Sequence, residues 1–214
     1  MYFMMKKIGL IGYGELGQQF QHLIQQSDNN AHFYYFDDVA FKNGVKNVFP
    51  FKSYSDDQFS DLEFLVGLGY KNLVKKGEII EDLIRNKRSL FTFIHPTAFV
   101  DNTSKIDMGT VIYPNVTIDK NVHIGNGCVL NLSVTIAHDT KIGDCSFLAP
   151  SVTISSFVKV CKFVFIGTGV CVTNKVLIDD YAMVGIGSVI TKNIEKNQIV
   201  IGNPQKVVNK FILL

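Results

Sequence analysis

No charge of one sign dominates this chain: 21 basic and 19 acidic side chains leave a net charge of +2. That balance gives no electrostatic footprint for nucleic acid. Long apolar runs are also missing. None approaches the roughly 20 residues that span a bilayer, and the apolar start is broken by glycine too soon for a secretory signal. Met4 and Met5 are candidate alternative starts. Cysteine is scarce: Cys128, Cys145, Cys161 and Cys171 form no Cys-x-x-Cys pair and are too few for a disulfide scaffold. A reducing cytoplasm is therefore the expected compartment, and the sequons at Asn102, Asn115 and Asn131 are incidental. With 47% hydrophobic and 19% charged residues, 214 residues exclude wholesale disorder and suffice for one large domain or two small ones.

What is present is a repeat. From Ile94 to Ile190 every sixth residue is Ile, Leu or Val, running Ile94, Val100, Ile106, Ile112, Ile118, Ile124, Leu130, Ile136 and onward without a break. Four positions after each stands a small or mostly β-branched residue, as in Ala98, Ser104, Thr110, Val116, Val122 and Cys128. A period of six fits neither a helix nor a flat strand. It fits a short strand followed by a corner, with three such faces closing a coil. The aliphatic residue then points into the prism and the small one fills the tighter space beside it. Gly, Asp and Asn gather at the corners, as in Gly125-Asn126-Gly127 and Gly143-Asp144, where they tolerate unusual backbone angles. The repeat predicts about 5.7 coils and a prism roughly 27 Å tall at ordinary strand spacing: a parallel β-helix of the hexapeptide kind.

The preceding residues predict a small α/β unit with about four parallel strands. Lys6–Gly12 reads as a buried strand, followed by the turn Gly12-Tyr13-Gly14-Glu15-Leu16-Gly17 and a helix with Leu16, Phe20, Leu23 and Ile24 on one face. A strand at His32–Phe36 ends at Asp37-Asp38. Further strand-like runs lie at Glu63–Gly67 and Leu90–Ile94, with a helix around Lys75–Asn86 between them. The glycine spacing, with Asp37 about 20 residues on, matches a dinucleotide fingerprint. By itself it is compatible with a dinucleotide, with a nucleotide-linked substrate, or with a structural turn. The expected domains are 1–93 and 94–214, with the junction near His95-Pro96.

Together the halves resemble the hexapeptide-repeat acetyltransferases that act on nucleotide sugars and sialic acid, among them UDP-4-amino-sugar and GDP-perosamine N-acetyltransferases. The resemblance rests on the glycine turn, on Asp37-Asp38, on Ala137-His138-Asp139 within the coils, and on the closing Val200–Lys206, which is similar to the segment by which such enzymes leave the helix. It implies a small Rossmann-like α/β domain followed by a left-handed parallel β-helix, acetyl-CoA as co-substrate, a homotrimer, and a nucleotide-linked amino sugar as acceptor. A sialic acid or other sugar O-acetyltransferase and a non-catalytic trimeric scaffold are the alternatives.

In that scheme His138 is the general base and Asp139 its acidic neighbour; a neutral imidazole can take a proton from an attacking amine or hydroxyl. The amide of Ser156 aligns with the oxyanion donor. Phe147 and backbone groups of Thr168 and Ile186 align with coenzyme contacts, and Gly12, Gly14, Glu15, Leu16, Asp37 and Asp38 with contacts to the sugar nucleotide. No Gly-x-Ser-x-Gly elbow or paired Cys/His points to an acyl-enzyme. His22, His32, His95 and His123 read as surface or turn residues; with no third spaced histidine, no metal is expected.

The chain departs from the family pattern at three places. Glu15, Leu16 and Gln18 replace the second Gly, the His and the Lys of a turn that commonly reads Gly-x-Gly-Gly-His-Gly-Lys. Phe147 replaces a histidine nine residues after the base, and Gly69-Tyr70 replaces a Gly-Asn.

Overall fold

The computed structural model describes residues 6–208; Met4 and Met5 lie outside that range. The chain divides into two compact units, the first ending at Phe93 and the second beginning at Ile94.

The first unit is built on a five-stranded parallel sheet. In chain order its elements are β1 (Lys7–Ile11), α1 (Glu15–Ser27), β2 (His32–Phe36), α2 (Asp38–Lys42), β3 (Val48–Phe49), β4 (Glu63–Val66), α3 (Leu73–Arg85) and β5 (Ser89–Leu90). The strand order is β3-β2-β1-β4-β5, so the winding reverses between β1 and β4. In open sheets of this kind ligands bind at such a switch, beyond the carboxyl ends of the strands. Ile8, Leu10, Ile11, Phe64 and Leu65 are fully buried, as expected of a parallel strand covered on both sides. The aromatic run of β2 packs into a ring cluster, with Phe36 edge-on to Phe59 at 4.9 Å and 5.9 Å from Phe64.

Two features differ from expectation. The sheet has a fifth strand, because Val48–Phe49 pairs with Tyr35–Phe36. The run Leu90–Ile94 is not one strand: it breaks after Leu90, and Phe93–Ile94 starts the second unit's sheets.

The second unit is a parallel β-helix of two-residue strands. Residues 18 apart pair in register, as in Thr117↔Thr135↔Thr153 and His123↔Lys141↔Lys159, so three hexads make one coil. The repeated aliphatic residues fill the prism: Ile112, Ile118, Ile124, Leu130, Ile136 and Leu148 are completely buried. The coils have three flat faces. The first carries Phe99, Thr117, Thr135, Thr153, Cys171 and Val189 outward, with no charge. The second carries Lys105, His123, Lys141, Lys159 and Leu177. The third carries Val111, Val129, Phe147, Phe165 and Met183. The helix closes with Ile199–Ile201, parallel to Met183–Val184 and antiparallel to Lys206–Val208. Gln205 fastens this exit, its Oε1 accepting the N–H groups of Thr191 and Lys192 at 2.7 and 2.9 Å.

The corners show why the repeat needs more than an aliphatic every six residues. The third residue after each aliphatic sits in the left-handed region from Gly109 through Asn115, Asn121, Gly127, Ser133 and Asp139 to Gly187. Gly, Asn and Asp reach it readily, but Phe157, Phe163, Lys175 and Tyr181 occupy it too, at φ of 60–62°, each against a preference of roughly 1–2 kcal/mol. Packing of the whole coil overrides that local preference.

Small hydroxyl residues at the inner corner positions link successive coils. The Thr140 hydroxyl donates to the Ser155 carbonyl (3.0 Å) and accepts from the Val158 N–H (3.2 Å). Thr110 and Ser146 act likewise on the Gly125 and Cys161 carbonyls.

Candidate active site

The corner between the first and second flat faces holds a histidine paired with a carboxylate, a set of groups able to move a proton. His138 stands second after Ile136, and its side chain is 36% exposed. Its Nδ1 lies 2.8 Å from Asp139 Oδ2, and Asp139 Oδ1 accepts from the Asn121 side-chain amide at 3.2 Å. These hydrogen bonds, His138's first and Asn121's second, hold the Asp139 carboxyl below its ordinary value, with a smaller contribution from the Lys120 charge. Asp139 is thus a carboxylate, which only accepts, so neutral His138 donates from Nδ1 and presents a bare Nε2 lone pair. Nε2 meets no partner among the described residues. The Phe157 ring stands edge-on to the imidazole at 5.3 Å.

Ser156 lies one coil on, at the same corner position as His138. Its backbone N–H donates to no acceptor among the described residues. The N–H groups of Thr168 and Ile186 are also open; these two residues stack one coil apart on the corner between the third and first faces, with Gly187 N–H bonded to the Thr168 carbonyl. A single prism therefore brings His138, Asp139 and Ser156 together and puts Thr168 and Ile186 on a separate corner. Phe147 is on the third face, buried, 6.0 Å from the Phe165 ring.

His123 takes no part in this cluster: its Nε2 lies 2.6 Å from Asp107. It lines a groove of about 410 Å³ on the second face, where Lys141, Lys159 and Lys162 offset Asp144, Asp179 and Asp180. Cys161, Asp179 and Asp180 come within 4.8 Å of one another there. Burial pushes the Cys161 thiol up, the Lys159 charge opposing it.

In the first unit the three fingerprint glycines serve different ends. Gly12 has φ +93°, and a Cβ on Gly17 would stand 2.2 Å from the Gly12 carbonyl oxygen, so α1 packs directly on the turn. Gly14 has open space around it, which leaves the backbone approachable. Asp37 does not project freely. Its Oδ1 accepts from Val39 and Ala40, capping α2, and its Oδ2 from the Tyr13 N–H, at 2.9–3.0 Å. Asp38 Oδ1 accepts from the Phe51 N–H at 2.9 Å. Glu15 is exposed in the first turn of α1, where its charge already answers the helix dipole, and Leu16 is half-buried.

Asn121 was not apparent as a site residue from the sequence. Its signal was the coil length: it precedes Asp139 by 18 residues.

The fold and the corner define a hexapeptide β-helix carrying an outward His–Asp pair. Residues 94–200 match the family model described as the GMPPB C-terminal domain, and the chain belongs to that family. No curated protein matches the chain. Among solved structures it is similar to the acetyltransferase domain of PglB from Neisseria gonorrhoeae FA1090 in complex with acetyl coenzyme A, with 22% identity and a TM-score of 0.84 over 95% of this chain and 99% of that one. WeeI from Acinetobacter baumannii AYE has 21% identity and a TM-score of 0.85 over 95% and 100%. PerB from Caulobacter crescentus in complex with CoA and GDP-perosamine has 22% identity and a TM-score of 0.82 over 95% and 97%. At these identities the likeness is one of fold, and the parallel sheets fit a left-handed β-helix.

Proposed function

We propose that the chain is an acetyltransferase that moves the acetyl group of acetyl-CoA onto a nucleotide-linked amino sugar, with His138 as the general base. The observation that carries this reading is the His138–Asp139 pair, whose hydrogen bond leaves Nε2 as an outward proton acceptor. The similar structures that hold coenzyme A and GDP-perosamine support the choice of substrates. The neutral amine attacks the thioester carbonyl carbon while Nε2 takes its proton. The carbonyl oxygen gains charge opposite the open N–H of Ser156. The C–S bond then breaks, the acetyl group stays on nitrogen, and the departing sulfur takes up the proton from His138. Asp139 holds the ring and offsets the charge it carries between the two transfers.

In this reading the first unit is a small Rossmann-like domain whose glycine turn receives the nucleotide, Gly14 allowing close approach, with Glu15, Leu16 and Asp38 beside it. Asp37 shapes the turn. The protein acts in the cytoplasm as a homotrimer. The uncharged first face supports side-by-side packing, and such packing lets one coenzyme contact His138 and Ser156 of one copy and Thr168 and Ile186 of the next. Phe147 lies on the outer side of the third face, packed against Phe165.

The test combines calorimetry with acetyl-CoA and a turnover panel of nucleotide-linked amino sugars and their hydroxyl counterparts. Acetyl-CoA binding with turnover on an amine supports the proposal. Turnover on hydroxyl sugars alone selects the O-acetyltransferase alternative, and absence of coenzyme binding selects the scaffold.

A further inference from the structure

Three consecutive coils converge on the His138 ring. Asn121, Asp139 and Phe157 occupy the same corner position one coil apart, each in the left-handed region at φ of 56°, 59° and 60°. Asp139 takes the Asn121 amide on one oxygen and the His138 ring N–H on the other. Without the amide, Oδ1 would be unpartnered and the carboxylate would be free to turn about its Cβ–Cγ bond, which loosens the tautomer of the ring it holds.

Phe157 bounds the imidazole from the coil above, edge-on at 88° and 5.3 Å, and its N–H donates to the His138 carbonyl at 3.2 Å. The left-handed backbone recurs at each corner from Gly109 to Gly187 and does not by itself single out Phe157. The ring contact does. Phe157 is 52% exposed, so burial gives little reason for a bulky aromatic in a conformation that favours Gly or Asn.

We propose that Asn121 and Phe157 are positioning residues for His138: Asn121 fixes the carboxylate that sets the ring's tautomer, and Phe157 fixes the plane of the ring. This rests on the reading of His138 as the base. Neither residue has to touch substrate to act.

The test uses the full chain with Asn121→Gly and Phe157→Gly, which keep the left-handed corner accessible, and with Asn121→Asp and Phe157→Tyr. Two readouts apply: kcat against KM for acetyl-CoA, and the ¹⁵N shifts of the His138 ring. Asn121→Gly and Phe157→Gly should each lower kcat about tenfold and leave KM within about twofold. Asn121→Asp sets a second carboxylate against Asp139 and should lose more, whereas Phe157→Tyr keeps the ring and should stay near wild type. In the spectra, wild type should show the Nδ1–H tautomer and Asn121→Gly a larger Nε2–H share. Wild-type kcat and unchanged ring signals in both glycine variants would overturn the proposal. If His138→Ala itself keeps full turnover, the base assignment falls. The ring spectra, which need no turnover, then still decide whether these two residues hold the imidazole.

Discussion

Thr140→Val removes one buried hydroxyl from the wall that carries His138. Thr140 is fully buried, and its Oγ1 donates to the Ser155 carbonyl and accepts from the Val158 N–H. Valine fills the same volume, so no cavity forms. Two orphaned buried backbone groups would together cost on the order of 2–6 kcal/mol. They need not stay orphaned, however, because Ser155 and Val158 are three residues apart at one corner. At the corner before His138, where no hydroxyl intervenes, Val134 N–H donates to the Asn131 carbonyl at 3.2 Å. The same closure is open to Val158 and Ser155, so the net loss is about one exchanged hydrogen bond, roughly 1 kcal/mol. For a chain of this size that lowers the β-helix transition by about 2–4 °C. Thermal and urea unfolding of Thr140→Val measure it, with Thr140→Ala expected lower again because it also leaves a void. A loss above about 3 kcal/mol would refute the closure argument, and an unchanged transition would refute the coil-linking role of the hydroxyl.

Asp37→Ala should destabilise the first unit by about 2–3 kcal/mol, since it removes a helix cap and the acceptor for the Tyr13 N–H at once; chemical unfolding followed by tyrosine fluorescence checks this. Alkaline pH should also weaken that unit. Burial raises Tyr35 to about 12, and burial with the Asp82 hydrogen bond raises Tyr54 to about 12. The unfolded chain loses these protons near 10 and the folded unit near 12, so their contribution is full below pH 10 and falls as pH climbs through that window. Absorbance titration should show these two phenols ionising late, together with unfolding; ionisation of both near 10 in a folded unit would count against their burial.

The β-helix was legible because its signal is carried by side chains that must be inside: a six-residue register from Ile94 to Ile190 can hardly serve another fold. Three hexads to a coil also make any two residues 18 apart neighbours. That rule alone stacks Ser156 on His138 and Asn121 under Asp139, and sets Thr168 and Ile186 on another corner. Other features were beyond local pattern. Val48–Phe49 is too short to show alternation and becomes a strand only because Tyr35–Phe36 presents an edge to it. Asp37 stands at the spacing of a ribose ligand, yet its carboxylate is held by amides from Tyr13, Val39 and Ala40, and that closeness exists only once β1 and β2 are paired. Phe157, Phe163 and Tyr181 at left-handed corners ran against residue preference, so their backbone could be read only from their place in the coil.

The most direct measurement is turnover by His138→Ala with acetyl-CoA and the amino-sugar acceptor, alongside its coenzyme affinity. Loss of the base should lower kcat about 10²- to 10⁴-fold while coenzyme affinity stays near that of wild type. A variant that binds coenzyme and keeps near-normal kcat would contradict the assignment of the proton transfer to this imidazole.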